Sequence, residues 1–553
     1  MKKLVIITLL LCLYGLRGKT QETEWQWRVE IPSVLSGETN AHPQAFLWIP
    51  STCEQVKAVV VGQHNMCEET LFGNAVFRQK MEETGMALVW ISPILDFPWD
   101  VTNGCNDALL GALDDLADVS GYTELRFAPI VPLGHSAMAT FPWNFAAWNL
   151  ERTLAVVSYH GDAPRTNLTG YGGANLEWGR TRNINGIPGL MVEGEYEWWE
   201  ARVNPALAFR MMYPESCISF LCDARRGHFD VADRTAEYIG LFLQKALAWR
   251  LPDDWKGTTL ASLRKVNPRE GWLAERWRTG TVEPQGEVRT ARLRRQPRRA
   301  KPAPYNEYRG DRHDAFWYFD REMAERTEAI YRQDYDMLPQ YLGFEQKGRL
   351  LKHDPEAHVT YAAPFHPEAD GVTFHLKAVY TDSLRTSYAS SHSASAPRIE
   401  RICGPVRPIN DTTFALSFYH MGTNNAKRTG KITLVATSDG DDRYKPTVQE
   451  LEIHVPYPLT EGRRQSILFP SLEDVPVGTP SITLHAESDR ALPVSYYVKQ
   501  GPAEIRGSEL VFIPLPPRAK FPVKVTVVAW QYGLPGKVQT AEPVERSFYL
   551  YRK

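Results

Sequence analysis

The sequence predicts a mostly parallel α/β sheet with helices on both faces, followed by two all-β sandwiches. Over residues 25–250, apolar runs of strand length alternate with amphipathic stretches of helix length. From residue 346 onward, short strand patterns between turn signals replace that alternation. Hydrophobic residues make up 43% and charged residues 23%, enough apolar material for several packed cores. The first observation carries most weight, because parallel neighbours need a crossover between them and that crossover is usually a helix.

Lys2-Lys3 and the apolar run Leu4 to Leu16 read as an export signal over residues 1–20, too short to span a bilayer. Cys12 lies in that run without the small residues that a lipoprotein signal carries before its cysteine. Periplasmic or cell-surface placement is expected, with no membrane span after the signal. A net charge of −2 gives no electrostatic footprint for nucleic acid. Cys53, Cys67, Cys105, Cys217, Cys222 and Cys403 remain, and pairing among the first three is open. Cys217 and Cys222 flank an extended run of roughly 16 Å, too long for one disulfide. No cysteine or histidine spacing suggests zinc, and no cofactor is expected.

Strands are predicted at Glu24 to Pro32, Ala45 to Pro50, Lys57 to Gly62 and Met86 to Ser92, with a helix over Glu69 to Glu83. Asn106 to Val119 repeats apolar residues at helical spacing, and Phe127 to Leu133 is a buried strand. It breaks at Gly134-His135-Ser136-Ala137-Met138 and a helix rich in Ala, Phe and Trp follows at once. Strand, Gly-X-Ser, helix is the layout of a nucleophile elbow, which exposes a serine where backbone N–H groups favour an oxyanion. Met138 stands where that motif usually repeats glycine. Leu154 to Tyr159, Gly189 to Glu193 and Ile218 to Cys222 are further strands, and Arg234 to Trp249 is the closing helix.

Two further motifs follow in order. Ile187-Pro188-Gly189-Leu190-Met191-Val192-Glu193-Gly194-Glu195-Tyr196-Glu197 is a proline-led strand ending in Gly-X-X-acid, and Arg226-Gly227-His228-Phe229 precedes the closing helix. With the elbow, they make residues 21–250 resemble the α/β-hydrolase family, whose acid and histidine follow the serine in that order. The resemblance implies a catalytic domain with Ser136 as nucleophile, His228 as general base and Glu197 as the acid orienting it. Glu193, Glu195 and Glu200 compete for the acid's role. It also implies an oxyanion hole from the Ala137 N–H and, through His64-Asn65-Met66, from the Met66 N–H. His135 and His160 read as structural or pocket-lining.

Residues 251–345 read as a connecting segment, with helices expected at Trp272 to Trp277 and Asp314 to Tyr331. Arg289 to Lys301 within it is a basic run that reads as solvated loop. Residues 346–462 read as one β-sandwich, with turns at Asn410-Asp411 and Asp439-Gly440. Residues 463–553 form a second, and Leu492-Pro493-Val494-Ser495-Tyr496 makes it resemble bacterial Ig-like modules, implying a spacer or glycan-facing role.

Between Gly161 and Gly186 no long lid is written, so an open site is expected, suited to a polymer. Trp99, Trp143, Trp178, Trp198 and Trp199 are candidates for sugar stacking, of which Trp99, Trp143 and Trp199 are taken as substrate contacts. Arg202 and Arg226, with Arg180, Arg182 and Arg225, suggest an anionic polysaccharide. The expected function is an exported serine esterase on plant polysaccharide, with pectin methyl esters as best substrate. Polysaccharide acetyl esters, peptides, or non-catalytic glycan binding are the alternatives.

Overall fold

A computed structural model describes residues 25–165, 176–197, 200–277, 300–332, 337–419, 425 and 427–552. The expected export signal, the basic run up to Arg299, and Trp198 and Trp199 lie outside these residues.

The N-terminal unit is built on an eight-stranded sheet. In chain order its strands and helices are β1 Trp27–Glu30, β2 Gln44–Trp48, β3 Ala58–Gln63, α1 Cys67–Gly73, α2 Ala75–Thr84, β4 Met86–Ser92, α3 Cys105–Ser120, β5 Ile130–His135, α4 Phe141–Trp148, β6 Val156–Tyr159, β7 Pro188–Gly194, α5 Glu200–Met212, β8 Cys217–Asp223 and α6 Asp233–Arg250. Spatially the strands run β1-β2-β4-β3-β5-β6-β7-β8. β2 is antiparallel to both neighbours, and every later pair is parallel. That order, with helices on both faces, is the α/β-hydrolase fold.

Strand periodicity explains the two cores. In β3, Val60 joins Phe46, Leu88 and Val131 on one face, while Val59 and Val61 join Leu47, Val89 and Ile130 on the other. All three valines are fully buried, each stabilising by roughly 1.5–3 kcal/mol relative to exposure. α2 packs along α6 beside the first face, and the Leu109, Leu113 and Leu116 stripe of α3 covers the second.

Three sequence expectations change. The helix at 69–83 is two helices, divided at Asn74, whose side chain caps α2 by accepting the Phe77 N–H at 3.0 Å. Trp272 to Trp277 is not helical. Instead β9 Trp272–Glu275 pairs with β10 Ala303–Pro304 and β11 Ala315–Tyr318. The expected helix at 314–331 thus opens as strand, where Phe316, Trp317 and Tyr318 suit a pleated buried surface, and becomes helix α7 only at Arg321–Arg332. Both changes place this segment against β8. The Trp317 carbonyl accepts from Ser219 Oγ at 2.6 Å, and the Tyr318 hydroxyl donates to the Phe220 carbonyl at 2.6 Å.

Beyond it, a sheet of Ala362–Pro364, Thr447–His454, Lys431–Ser438 and Arg398–Cys403 accompanies one of Thr373–His375, Thr413–Leu416 and Val406–Asn410. Gly440 adopts φ +68 in the turn between two of these strands, where its Asp439-Gly440 signal placed it. The last module repeats the style around Val523–Trp530 and Val544–Tyr551. The cysteines at 53, 67, 105, 217, 222 and 403 are buried, and none of them forms a disulfide. Among the described residues no helix is long and apolar enough to cross a membrane.

Candidate active site

β5 ends at His135, and Ser136 turns the chain with φ +55 into a short 3-10 turn ahead of α4. An L-residue held there costs roughly 1–2 kcal/mol, so the surroundings must enforce it. Two glycines make room. A Cβ on Gly134 would stand 2.0 Å from the Met138 carbonyl oxygen, and one on Gly161, just past β6, would stand 1.9 Å from Ala139 Cβ. The close approach usually allowed by the motif's last glycine is thus supplied by Gly161, while the Met138 side chain is buried in the core under α3.

Ser136 Oγ lies 2.8 Å from His228 Nε2. His228 Nδ1 makes a short hydrogen bond to Glu197 Oε2. Glu197 sits in the 3-10 turn after β7, and its carboxylate is crowded by donors. Oε1 accepts from the Gly194 N–H at 3.0 Å and faces His160 Nδ1 at 3.0 Å, while Arg202 Nη1 approaches Oε2 at 3.4 Å. Burial works against the charge, but the His160 and His228 rings overcome it and hold Glu197 well below the usual carboxylate range. His160 is correspondingly raised to about 9: burial opposes its charge and Glu197 prevails. For His228, burial dominates and lowers its pKa below 6.5 despite Glu197.

The competing glutamates have other partners. Glu193 accepts from Arg202 Nη1 at 3.0 Å, and burial pushes its carboxyl up to about 8. Glu195 accepts the Arg225 N–H at 2.8 Å and faces Lys445 Nζ at 3.6 Å. Glu200's side chain lies outside the described residues.

His135 Nε2 and His160 Nδ1 each lie 2.8 Å from the His228 carbonyl, so two rings the sequence reading left as structural fix the backbone of the third. Nitrogens of the three rings converge within 4.8 Å, a spacing that a metal ion could bridge. Coordination there would break the hydrogen bonds just described.

The oxyanion expectation is corrected in part. Ala137, in the first turn of the 3-10 segment, has no intrahelical acceptor for its N–H and remains a suitable donor. Met66 N–H instead donates to Glu68 Oε2 at 2.9 Å, while Glu68 Oε1 accepts the His135 N–H at 2.7 Å. Glu68 is thus a buried strut under both loops, with burial raising its pKa to about 7.

The expected substrate contacts also change. Trp99 and Trp143 are fully buried, and Trp143 Nε1 donates to the Asp162 carbonyl at 3.0 Å, so they form core and present no stacking face. Trp178 is buried likewise, donating to Asn144 Oδ1 at 2.9 Å. Arg202 is 1% exposed among Glu193, Glu197 and Asp162. Arg226 pairs with Asp230 at 3.2 Å, and Arg182 lies over the Trp148 ring. Amphipathic residues near strand ends were read as pocket lining, but burial of their apolar bodies and pairing of their charges decided otherwise.

Ser136 is 6% and His228 9% exposed. His358, from the sandwich, stands edge-on to His228 with ring centroids 5.9 Å apart and to Phe229 at 5.2 Å. The Tyr196 hydroxyl donates to the Pro446 carbonyl at 2.8 Å, closing another junction beside Glu197.

No protein-family model matches the chain, and no curated protein sequence does. Solved structures do resemble part of it. Est1E from Butyrivibrio proteoclasticus is 15% identical, covering 40% of this chain and 99% of its own with a TM-score of 0.28. An S-formylglutathione hydrolase from Agrobacterium tumefaciens is 14% identical over 40% and 92%, with a TM-score of 0.27. Poly(aspartic acid) hydrolase-1 from Sphingomonas sp. KT-1 is 11% identical over 40% and 99%, with a TM-score of 0.29.

Proposed function

We propose that this chain is a serine hydrolase of carboxylic esters, acting through Ser136, His228 and Glu197. The observation that carries the reading is the continuous contact from Ser136 Oγ through both His228 nitrogens to a buried, ionised Glu197. Ser136 Oγ attacks the ester carbonyl carbon while its proton passes to His228 Nε2. The Ala137 N–H stabilises the negative oxygen of the tetrahedral intermediate, and Glu197 stabilises the imidazolium. Collapse breaks the bond to the alcohol, which leaves with the proton from Nε2. Water then attacks the acyl-serine by the same route, releases the carboxylic acid and restores Ser136.

The edge-on contact of His358 with His228 supports a compact acyl group. The preference for methyl-esterified pectin rested on tryptophans and arginines, several of which are now placed in core or in ion pairs. Pectin therefore stands as one arm of the test beside acetyl esters on polysaccharide. Export, motivated by Lys2-Lys3 and Leu4 to Leu16, is part of the same proposal. A fluorophosphonate should label the protein at Ser136, located by peptide mapping, and short aryl acetates should be hydrolysed. Comparison of methanol release from methyl-esterified pectin with acetate release from acetylated xylan then separates the substrate classes. Absence of both labelling and aryl-ester turnover would leave the non-catalytic glycan-binding reading.

The pH dependence has a definite sign. The base must be neutral, and His228 is held below the ordinary histidine value, so the acid limb of kcat/KM should have its midpoint below pH 6.5. Around His228 stand Glu197, which raises its pKa, and His160 and Arg202, which lower it, with His135 and His358 as neighbouring rings. Replacing His160 by Asn removes a positive charge and one of the cations that share Glu197 with His228. Both changes move the acid limb upward. A limb that stays in place, or moves down, contradicts the assignment of His160 as a cation.

A further inference from the structure

Behind the loop His64-Asn65-Met66 stands a side chain that the catalytic sheet does not supply. Arg428 leaves the sandwich just before strand Lys431–Ser438, and its guanidinium makes three hydrogen bonds to described residues. Nε donates to Glu38 Oε1 at 2.7 Å, Nη1 to the Asn65 carbonyl at 2.8 Å and Nη2 to Asn65 Oδ1 at 3.2 Å. Backbone and side chain of one residue are thus gripped together by separate nitrogens of one planar fork, a fixed geometry that the single nitrogen of an ammonium does not reproduce.

Occupying Asn65 Oδ1 decides the orientation of its amide. Nδ2 then faces the elbow, where it donates to the His135 carbonyl at 2.8 Å. His135 immediately precedes Ser136, so the chain of contacts runs Glu38, Arg428, Asn65, His135. Asn425 braces it from the same side, with Nδ2 at 2.8 Å from Glu38 Oε2 and 3.0 Å from His64 Nδ1. Glu38 and Asn65 are buried, so these bonds escape most of the screening that weakens surface pairs.

We propose that Arg428 is a positioning residue for ester hydrolysis, fixing Asn65 and, through it, the peptide carbonyl that precedes Ser136. The proposal rests on the serine-hydrolase reading above. It makes the sandwich part of the catalytic apparatus, where the sequence suggested an appended spacer. Ångström-scale displacement of a supporting loop can lower a rate about 100-fold, which sets the scale of the effect.

The test compares Arg428→Ala, Arg428→Lys, Asn65→Ala and the Asn65→Ala/Arg428→Ala double variant in the full chain. Thr70→Val serves as control, because Thr70 Oγ1 donates to the Ile402 carbonyl elsewhere along the same junction. For an aryl acetate, Arg428→Ala should lower kcat by roughly 10- to 100-fold while KM changes less than about twofold. A trifluoromethyl ketone, which forms a tetrahedral adduct with the serine, should bind more weakly by the same factor. Arg428→Lys keeps charge and bulk but not the fork, and should retain the defect; it reports if the alanine variant fails to fold. Thr70→Val should stay within about twofold, and Arg428→Ala should add less than about twofold to Asn65→Ala. Wild-type kcat in Arg428→Lys and Arg428→Ala, a loss matched by Thr70→Val, or multiplicative losses in the double variant would each overturn the proposal. Ser136→Ala, run alongside, separates the two claims. Turnover by that variant overturns the hydrolase reading and this proposal with it, whereas an inert Ser136→Ala beside unimpaired Arg428 variants overturns this proposal alone.

Discussion

With Ser136 replaced by alanine, aryl-ester hydrolysis should fall by about 10³-fold or more, and fluorophosphonate labelling should disappear. The size of the effect follows from what the hydroxyl does. In the proposed reaction it is the atom that bonds to the acyl carbon, and its 2.8 Å contact with His228 Nε2 gives its proton an acceptor before attack begins. Alanine supplies neither, and water reaching His228 would have to enter a site where Ser136 is 6% exposed. The fold should tolerate the change. Alanine is smaller and inherits the same φ +55, so the thermal midpoint should stay near wild type while turnover collapses. Turnover near the wild-type rate would remove Ser136 from the chemistry.

The second large effect is expected at Glu197. Glu197→Gln keeps the shape but removes the charge that stabilises the imidazolium, and it presents an amide that can favour the wrong tautomer of His228. A loss of roughly 10³- to 10⁴-fold in kcat is expected. Stability should fall too. Two buried cationic groups, His160 at 3.0 Å and Arg202 at 3.4 Å, lose the carboxylate they face, and breaking a buried pair from one side costs about 3–5 kcal/mol. Glu193→Gln is the contrast. Burial raises that carboxyl to about 8, and its partner is Arg202 rather than His228, so the loss should stay within about tenfold. Glu195→Gln weakens contacts to Arg225 and Lys445 at the sandwich junction and should fall between the two. A Glu195 variant more crippled than Glu197→Gln would shift the acid's assignment by two residues.

The catalytic sheet was legible because each strand is a short apolar run and each crossover has helical spacing. Ser136, Glu197 and His228 were legible for a related reason: each follows the end of a strand, marked by a local pattern a few residues long. Residues whose roles depend on distant partners were not. Arg202 reads from its spacing after Glu197 as a substrate-facing guanidinium, and only folding shows it enclosed by Glu193, Glu197 and Asp162. Trp99 and Trp143 lie near strand ends, as a sugar platform would, and no local feature reveals that Phe141 and Gly189 pack on their rings. Met66 was aligned correctly as a loop position, but its N–H was claimed by Glu68, two residues on. Arg428 lies 363 residues from Asn65 in sequence, and no period or motif connects them.

The apolar interior described for the first face of the sheet does not stop at the catalytic unit. Buried residues run without a break from Val60 and Leu133 through Phe316 and Met323 to Ile432 and Phe414, and on to Tyr497, Val528, Trp530 and Tyr532 of the last module, which also holds an interior of its own around Val525 and Phe548. Cooperativity follows the continuity of packed surface, because neither side of a shared interior can lose its neighbour cheaply. The modules named from sequence are therefore not the units in which this molecule melts. Heating should give one large endotherm that takes the sheet, the first sandwich and the last module together. Truncation after residue 345 would expose half of a shared interior to water, and such a fragment should aggregate.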